Sequence, residues 1–262
     1  MILDIDHVAL AVRNLEQDIK WIEALGYKPS FIEKGIPNPF IKKELMRRFQ
    51  KQQSLALLTR EGSLSIELLD HGCVPKRRSY YTPVFECLPS DWIEKMGRQR
   101  HFDISLREIE IKNLGVDAYL KESDGQKNFQ FNKIIVKSRD LKQSIRFWQC
   151  FGLQVVNQDD SLALMQFSSV FHKQNYQLYV QNEAGFNDFP LLDDGSFNCL
   201  AFISHSVRQE RESLRKQGIK VTDIESLYLN AKWLEVFFAQ GICGELIEIV
   251  GVCPSLKKIK ES

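Results

Sequence analysis

The sequence predicts an α+β fold of repeated βαβββ modules that form two curved, mostly antiparallel sheets, with a truncated second module. Three observations predict it. A strand, a helix and a terminal glycine recur with equal spacing, a further copy stands near the C-terminus, and short apolar strands follow each copy. One strand, one helix and three strands per unit is the βαβββ pattern.

The first copy runs from His7 to Gly26 and the second from Lys133 to Gly152, so that both span 19 positions (26 − 7 and 152 − 133). In each copy an apolar strand is followed by the tripeptide Arg-Asn-Leu or Arg-Asp-Leu. The Asn or Asp of this tripeptide is the expected N-cap of a helix. The glycines suit the left-handed C-cap position. The strand Ser-Leu-Ala-Leu that follows also occurs in both copies.

Two further copies complete the series. One runs from Cys199 to Gly218, again 19 positions (218 − 199), and is followed by two apolar strands. The other is shorter: strand 101–106, a helix over Arg107 to Leu114, and Gly115, with only 17 positions left before Asn132 (132 − 115). Three ordinary strands do not fit into that length, so this second module is predicted to be truncated.

The repeats divide the chain into a first domain at 1–127, a second at 128–252 and a C-terminal tail at 253–262. This division pairs the first module with the second and the third with the fourth. The truncated second module leaves a different pairing open, in which the first module joins the fourth.

Composition excludes several classes of function. The chain has 262 residues, 44% hydrophobic, with a net charge of +1, which does not indicate a nucleic-acid partner. No apolar run is long enough for a membrane span, and the acidic N-terminus is unlike a signal peptide. The six cysteines are scattered without a C-x-x-C pair, so we expect a cytoplasmic protein with reduced thiols.

The opening run Asp6 to Val12, followed by Leu15 and Leu25-Gly26, resembles the first motif of the vicinal oxygen chelate superfamily, which contains glyoxalases, epimerases, extradiol dioxygenases and bleomycin-resistance proteins. The stretches 66–69 and 92–97 with His101 are most similar to the glyoxalase and methylmalonyl-CoA epimerase branch. The resemblance covers nearly the whole chain.

That resemblance implies a divalent metal ion held by a first-strand histidine of each module and an acid or amide on each last strand. For the first pair it gives His7, Glu67 and His101 as ligands. The second pair has Lys133 and Cys199 where histidines would stand, Tyr179 near an acid position, and Glu248. This pair is therefore expected to hold no metal.

Structural interpretations remain beside these roles. His7 could be a structural histidine, and Glu67 could pair with a lysine. Lys133 could form a salt bridge with Glu248, and Cys199 could be a packed thiol. The helix-like stretch 43–49 could cover the first pocket, and the basic run 76–81 could hold an anion beside it.

The expected function is a divalent-metal-dependent small-molecule enzyme of the lyase, isomerase or oxygenase type that chelates two neighbouring substrate oxygens. Glu67 or Glu248 would serve as the catalytic base. The alternative is a metal-free protein of the same fold that binds a small molecule or sequesters an antibiotic, and a third option is a structural protein. The metal's identity stays open, and a homodimer is compatible with either function.

Overall fold

The computed structural model describes residues 1–72, 80–88, 93–101, 104–111, 116–121, 129–171, 175–183, 185 and 189–253. The basic run 76–81 and the tail 253–262 therefore fall largely outside the described residues. No helix in these ranges is long and apolar enough to cross a membrane.

Four modules follow one another along the chain. The first consists of β1 (Ile2–Val12), α1 (Leu15–Ala24), β2 (Lys28–Pro37), a 3₁₀ helix (Phe40–Leu45), β3 (Gln52–Thr59) and β4 (Ser65–Asp70). The second consists of β5 (Tyr81–Glu86), β6 (Ile93–His101), β7 (Ile104–Ile111) and β8 (Val116–Lys121).

The third module consists of β9 (Gln130–Ser138), α2 (Leu141–Gln149), β10 (Gln154–Gln158), β11 (Leu162–Ser168) and β12 (Asn175–Asn182). The fourth consists of β13 (Phe197–Ser204), α3 (Val207–Lys216), β14 (Lys220–Val221), β15 (Glu225–Leu229), β16 (Lys232–Gln240) and β17 (Leu246–Val252).

The first and fourth modules share one sheet, and the second and third share the other. In the first sheet the order is β14-β16-β17-β13-β1-β4-β3-β2, with β15 paired to β16; in the second sheet it is β10-β11-β12-β9-β5-β8-β7-β6. Strand β1 pairs antiparallel with β13, and β9 pairs in the same way with β5. Each sheet thus combines a module from 1–127 with one from 128–252. The first module therefore joins the fourth, which is the alternative pairing given above, and not the second.

The helix boundaries follow the local signals. The side chain of Asn14 accepts a hydrogen bond from the backbone N–H of Gln17, and that of Asp140 does the same for Gln143. Gly26 has φ 86°, in the left-handed region where a residue without Cβ meets no steric penalty. The predicted N-caps and the glycine that follows α1 are therefore confirmed.

The second module differs from its prediction. The sequence was expected to form a helix over Arg107 to Leu114, but residues 104–111 form strand β7. Its side chains at Ile109 and Ile111 are buried, with half-buried Glu110 between them, so the period is two and fits a strand. This module is short because no helix occurs between β5 and β8 in the residues that the structure describes, and it contributes four strands.

The core lies between the two sheets and under the helices. Alternate strand residues such as Val8 and Leu10 join this core, whereas Ala9 belongs to a separate cluster on the other face of the first sheet. Tyr81 connects the sheets: its hydroxyl donates to the carbonyl of Leu246 (2.7 Å) and accepts from the N–H of the same residue (3.2 Å). The outer, concave face of the first sheet is left for a cleft.

Candidate active site

Strand register brings three polar side chains together on the concave face of the first sheet. His7 lies on β1, opposite Ala201 of β13, and Ala201 is in turn opposite Glu248 of β17. On the other side of β1, Glu67 of β4 is opposite Ala9. The small alanine side chains leave room between the histidine and the two carboxylates.

The three side chains are close enough to share one ion. One potential ligand atom from each of His7, Glu67 and Glu248 lies within 4.8 Å of the other two. Nε2 of His7 is 3.2 Å from Oε2 of Glu67 and 4.0 Å from Oε2 of Glu248. His7 and Glu67 are buried and Glu248 is half-buried, so the protein covers most of the cluster.

Asp6 fixes the orientation of the histidine ring. Its Oδ2 is 2.8 Å from Nδ1 of His7, where the carboxylate accepts the ring N–H and orients Nε2 toward the two glutamates. Nε2 is buried and has no aligned hydrogen-bond partner among the described residues. A divalent cation would satisfy this nitrogen and both carboxylates, so the residues fit a metal site with one nitrogen and two oxygen donors.

The site separates the pKa values of its groups. Burial alone would lower the pKa of His7, but the Glu67 charge and the bond to Asp6 raise it well above its ordinary value. Burial raises the pKa of Glu248, and the nearby Glu67 charge raises it further. Burial by itself would raise the pKa of Glu67, but the charge of His7 and the hydrogen bond to it lower that pKa below its ordinary value. Without a cation, the carboxylates therefore compete for the positive charge of His7.

The cluster opens into a cavity of about 320 Å³. Apolar side chains of β3, β15 and β16 line much of it, and the polar wall includes Lys42 and Gln53. Lys42 lies on the 3₁₀ helix and is only 4% exposed. The predicted helix over 43–49 is thus replaced by a short 3₁₀ helix at 40–45 that contributes Lys42 to the cavity.

The structure groups the predicted site residues differently from the sequence. His7 and Glu67 lie together, and Glu248 joins them instead of forming a separate site. His101 is the last residue of β6, the edge strand of the second sheet, and its side chain lies outside the described part. The shared cleft arises because β1 and β13 are neighbours.

Lys133 does not reach Glu248. It forms an ion pair with Glu86, and Lys121 pairs with the same carboxylate at 3.2 Å, all within the second sheet. Tyr179 is buried in an apolar cluster of that sheet. Cys199 is 1% exposed and packs beside Ala9, and its sulfur is not part of the three-residue group.

Sequence reasoning missed Asp6 and Lys42. Asp6 precedes His7, and side chains of neighbouring strand residues normally point to opposite faces; register shifts of β1 around residues 5 to 7 accompany the contact. Lys42 stands in a connection without periodicity, where no local signal shows that it points inward.

The fold agrees with known structures. No protein-family model and no curated protein matches the sequence. Glyoxalase I from Zea mays superposes with a TM-score of 0.64 at 14% identity, covering 98% of this chain and 94% of that one. The chain has the glyoxalase fold. A Bacillus subtilis protein described as a candidate dioxygenase matches with a TM-score of 0.65 at 11% identity, covering 97% and 86%. At these identities the likeness concerns the fold, which is the α+β fold of repeated modules that the sequence predicted.

Proposed function

We propose that this chain is a divalent-metal-dependent enzyme that acts on a small molecule through two neighbouring oxygen atoms, in a reaction of the lyase, isomerase or oxygenase type. The observation that carries the proposal is the convergence of His7, Glu67 and Glu248 beside a cavity, with a buried Nε2 of His7 that makes no aligned hydrogen bond. His101 is not included in this ligand set because it lies in the other sheet.

Each residue has a role in this proposal. His7, Glu67 and Glu248 would hold the ion, and three protein ligands leave positions open for substrate. The bound ion would supply positive charge to stabilise an enolate or another oxyanion. Asp6 holds the His7 ring in place through Nδ1. Glu248 is the candidate base, since burial and the nearby Glu67 raise its pKa and favour proton acceptance.

The volume and the lining of the cavity are suited to a small substrate. Its volume of about 320 Å³ lies at the low end of the range for ligand pockets, about 300 to 1,000 Å³. Leucines such as Leu55, Leu57 and Leu227 line it beside the polar cluster. Apolar walls around a metal cluster exclude water and strengthen electrostatic interactions within the cavity.

Metal uptake tests the proposal. The chelator-treated protein is titrated with Mn²⁺, Co²⁺, Ni²⁺ and Zn²⁺, and bound metal is measured by elemental analysis after gel filtration. We expect close to one ion per chain in the wild type and none in His7→Ala. His205→Ala is the matched control, because His205 is exposed and away from the cleft, and it should bind metal like the wild type.

Two results would count against the enzyme. If the wild type binds no ion under any condition, the metal-free binding protein of the same fold is the better proposal. If His7→Ala binds as much metal as the wild type while its circular dichroism is unchanged, the ion is held elsewhere.

A further inference from the structure

Lys42 is a buried charged residue beside the candidate metal cluster. Its side chain lines the same cavity as His7, Glu67 and Glu248, and it is 4% exposed. Nζ donates to Oε1 of Gln53 at 3.2 Å and lies 5.9 Å from the centre of the Phe238 ring. Gln53 stands on β3, so the lysine is held from a strand of the same sheet.

The ammonium group of Lys42 has unused hydrogen-bond donors beside the cavity. A lysine ammonium has three N–H donors, and Gln53 is the hydrogen-bond acceptor that the described part of the chain provides. Glu67 and Glu248 line the same cavity and lie near enough for the charge of Lys42 to lower the pKa of both carboxylates, but among the described residues neither forms a direct ion pair with it. A buried charge is costly without a counter-ion, so an anion in the cavity would complete this environment.

We propose that the substrate is a small α-oxo or α-hydroxy carboxylate whose negative charge is bound by Lys42. The inference rests on the proposed metal-dependent function. Such a molecule offers two neighbouring oxygens to the ion and carries a charge that matches the lysine. A neutral dione or diol would also offer two oxygens, but it would leave Lys42 without a direct ion-pair partner.

The charges around the cleft sum to zero before a ligand binds. Asp6, Glu67 and Glu248 contribute three carboxylates, while a divalent ion and Lys42 contribute three positive charges when His7 is neutral. The ligand would therefore enter a balanced site, lined by the three carboxylates as well as by Lys42. The preference for an anion therefore rests on the direct contact with Lys42 and with the ion, and not on the net charge of the cleft.

The test compares three ligands of the same shape with different charges: oxalate, its monoamide oxamate and its diamide oxamide. Each is titrated into the Co²⁺-loaded protein by isothermal calorimetry, for the wild type, Lys42→Met and Lys232→Met. Lys232 lines the same cavity but is exposed, so its variant removes an equal charge from a solvated position. Metal content is measured in every sample.

In Lys42→Met, we expect the Kd of oxalate and of oxamate to rise by about tenfold or more, because a charge-assisted hydrogen bond is lost. Binding of oxamide should change less than about twofold, and Lys232→Met should resemble the wild type, because exposed charges are screened. Lys42→Gln is the second variant should Lys42→Met fold poorly, and the same increase is expected for it.

The outcomes separate the two proposals. A wild type that takes up no Co²⁺ overturns the proposed function and this inference with it. A wild type that takes up Co²⁺, together with Lys42 variants that keep metal and bind oxalate as tightly, overturns only the role of Lys42. An equal loss of affinity in Lys232→Met would also overturn the role of Lys42, because the loss would then follow from the net charge of the protein and not from a direct contact.

Discussion

The two sheets have the same backbone arrangement but carry different residue types at four equivalent strand positions. Pairing of the first and last strands of each module identifies these positions in both sheets. In the first sheet they are His7, Glu67, Cys199 and Glu248, and in the second sheet they are Lys133, Tyr179, Thr82 and Tyr119. Three of the four can bind a divalent ion in the first sheet, and the second offers no carboxylate there.

The surroundings differ as well. In the second sheet, Tyr179 and Tyr119 belong to a buried cluster with Val84, Ile135 and Leu162. The first sheet keeps a cavity at the equivalent place. Register alone therefore determines where side chains converge, and residue type decides whether the convergence gives a polar site or a packed core.

The largest expected effect concerns the carboxylates of the first sheet. Glu67→Gln and Glu248→Gln should each weaken metal binding by about a hundredfold, since even the loss of an outer-shell partner can cost ten- to a hundredfold. Tyr179→Phe, at the position equivalent to Glu67, should leave metal affinity unchanged. Competition with a coloured chelator measures the metal affinity of all three variants. An equal loss of affinity in Tyr179→Phe would show that the two sheets do not differ in metal binding.

The next effect belongs to the second sheet. Glu86 is 3% exposed and accepts from both Lys133 and Lys121, so Glu86→Gln leaves two lysines without their counter-ion. We expect a loss of about 3 kcal/mol in the free energy of unfolding, measured in urea with metal-free protein. Glu16→Gln removes an exposed carboxylate, 74% exposed and paired with the exposed Lys34, and should leave the free energy of unfolding nearly unchanged.

A smaller effect should follow pH. In the metal-free protein the pKa of His7 is raised in the folded state, so its contribution to stability is complete below its unfolded pKa of about 6.5 and is lost as pH rises through the folded value. The stability difference between the wild type and His7→Gln should therefore shrink from pH 6 to pH 9 in chelator. A difference that grows over this range would show that the Glu67 and Asp6 charges do not stabilise the protonated ring.

The smallest expected effect on metal binding is at Cys199. Its sulfur lies outside the group formed by His7, Glu67 and Glu248, and burial raises the pKa of the thiol well above its ordinary value, which disfavours the thiolate that binds metals. Cys199→Ala should keep the metal affinity within about twofold and cost about 1 kcal/mol in stability from lost packing. A Zn²⁺ affinity that falls tenfold would instead identify the sulfur as a ligand.

The sequence by itself determined the modules and much of the candidate site. Equal spacing, N-caps and glycines are local signals, and they identified three helices and most strands because helices and turns depend on neighbouring residues. The motif positions also selected His7, Glu67 and Glu248, although with Glu248 assigned to a different site. The helix expected at 107–114 was wrong because its residues satisfy a strand pattern once a neighbouring strand is present.

The tertiary structure alone decided which modules share a sheet. Strand β1 has pairing positions for another strand, and apolar sequences of similar composition begin every module, so no local feature distinguishes β13 from β5 as its partner. That choice brings Glu248 to His7 and places His101 in the other sheet. The inward position of Lys42 likewise depends on how the 3₁₀ helix is held, because the N–H of Ile41 in that helix donates to Glu225 of β15. Both depend on contacts between residues far apart in the chain, which local sequence patterns do not encode.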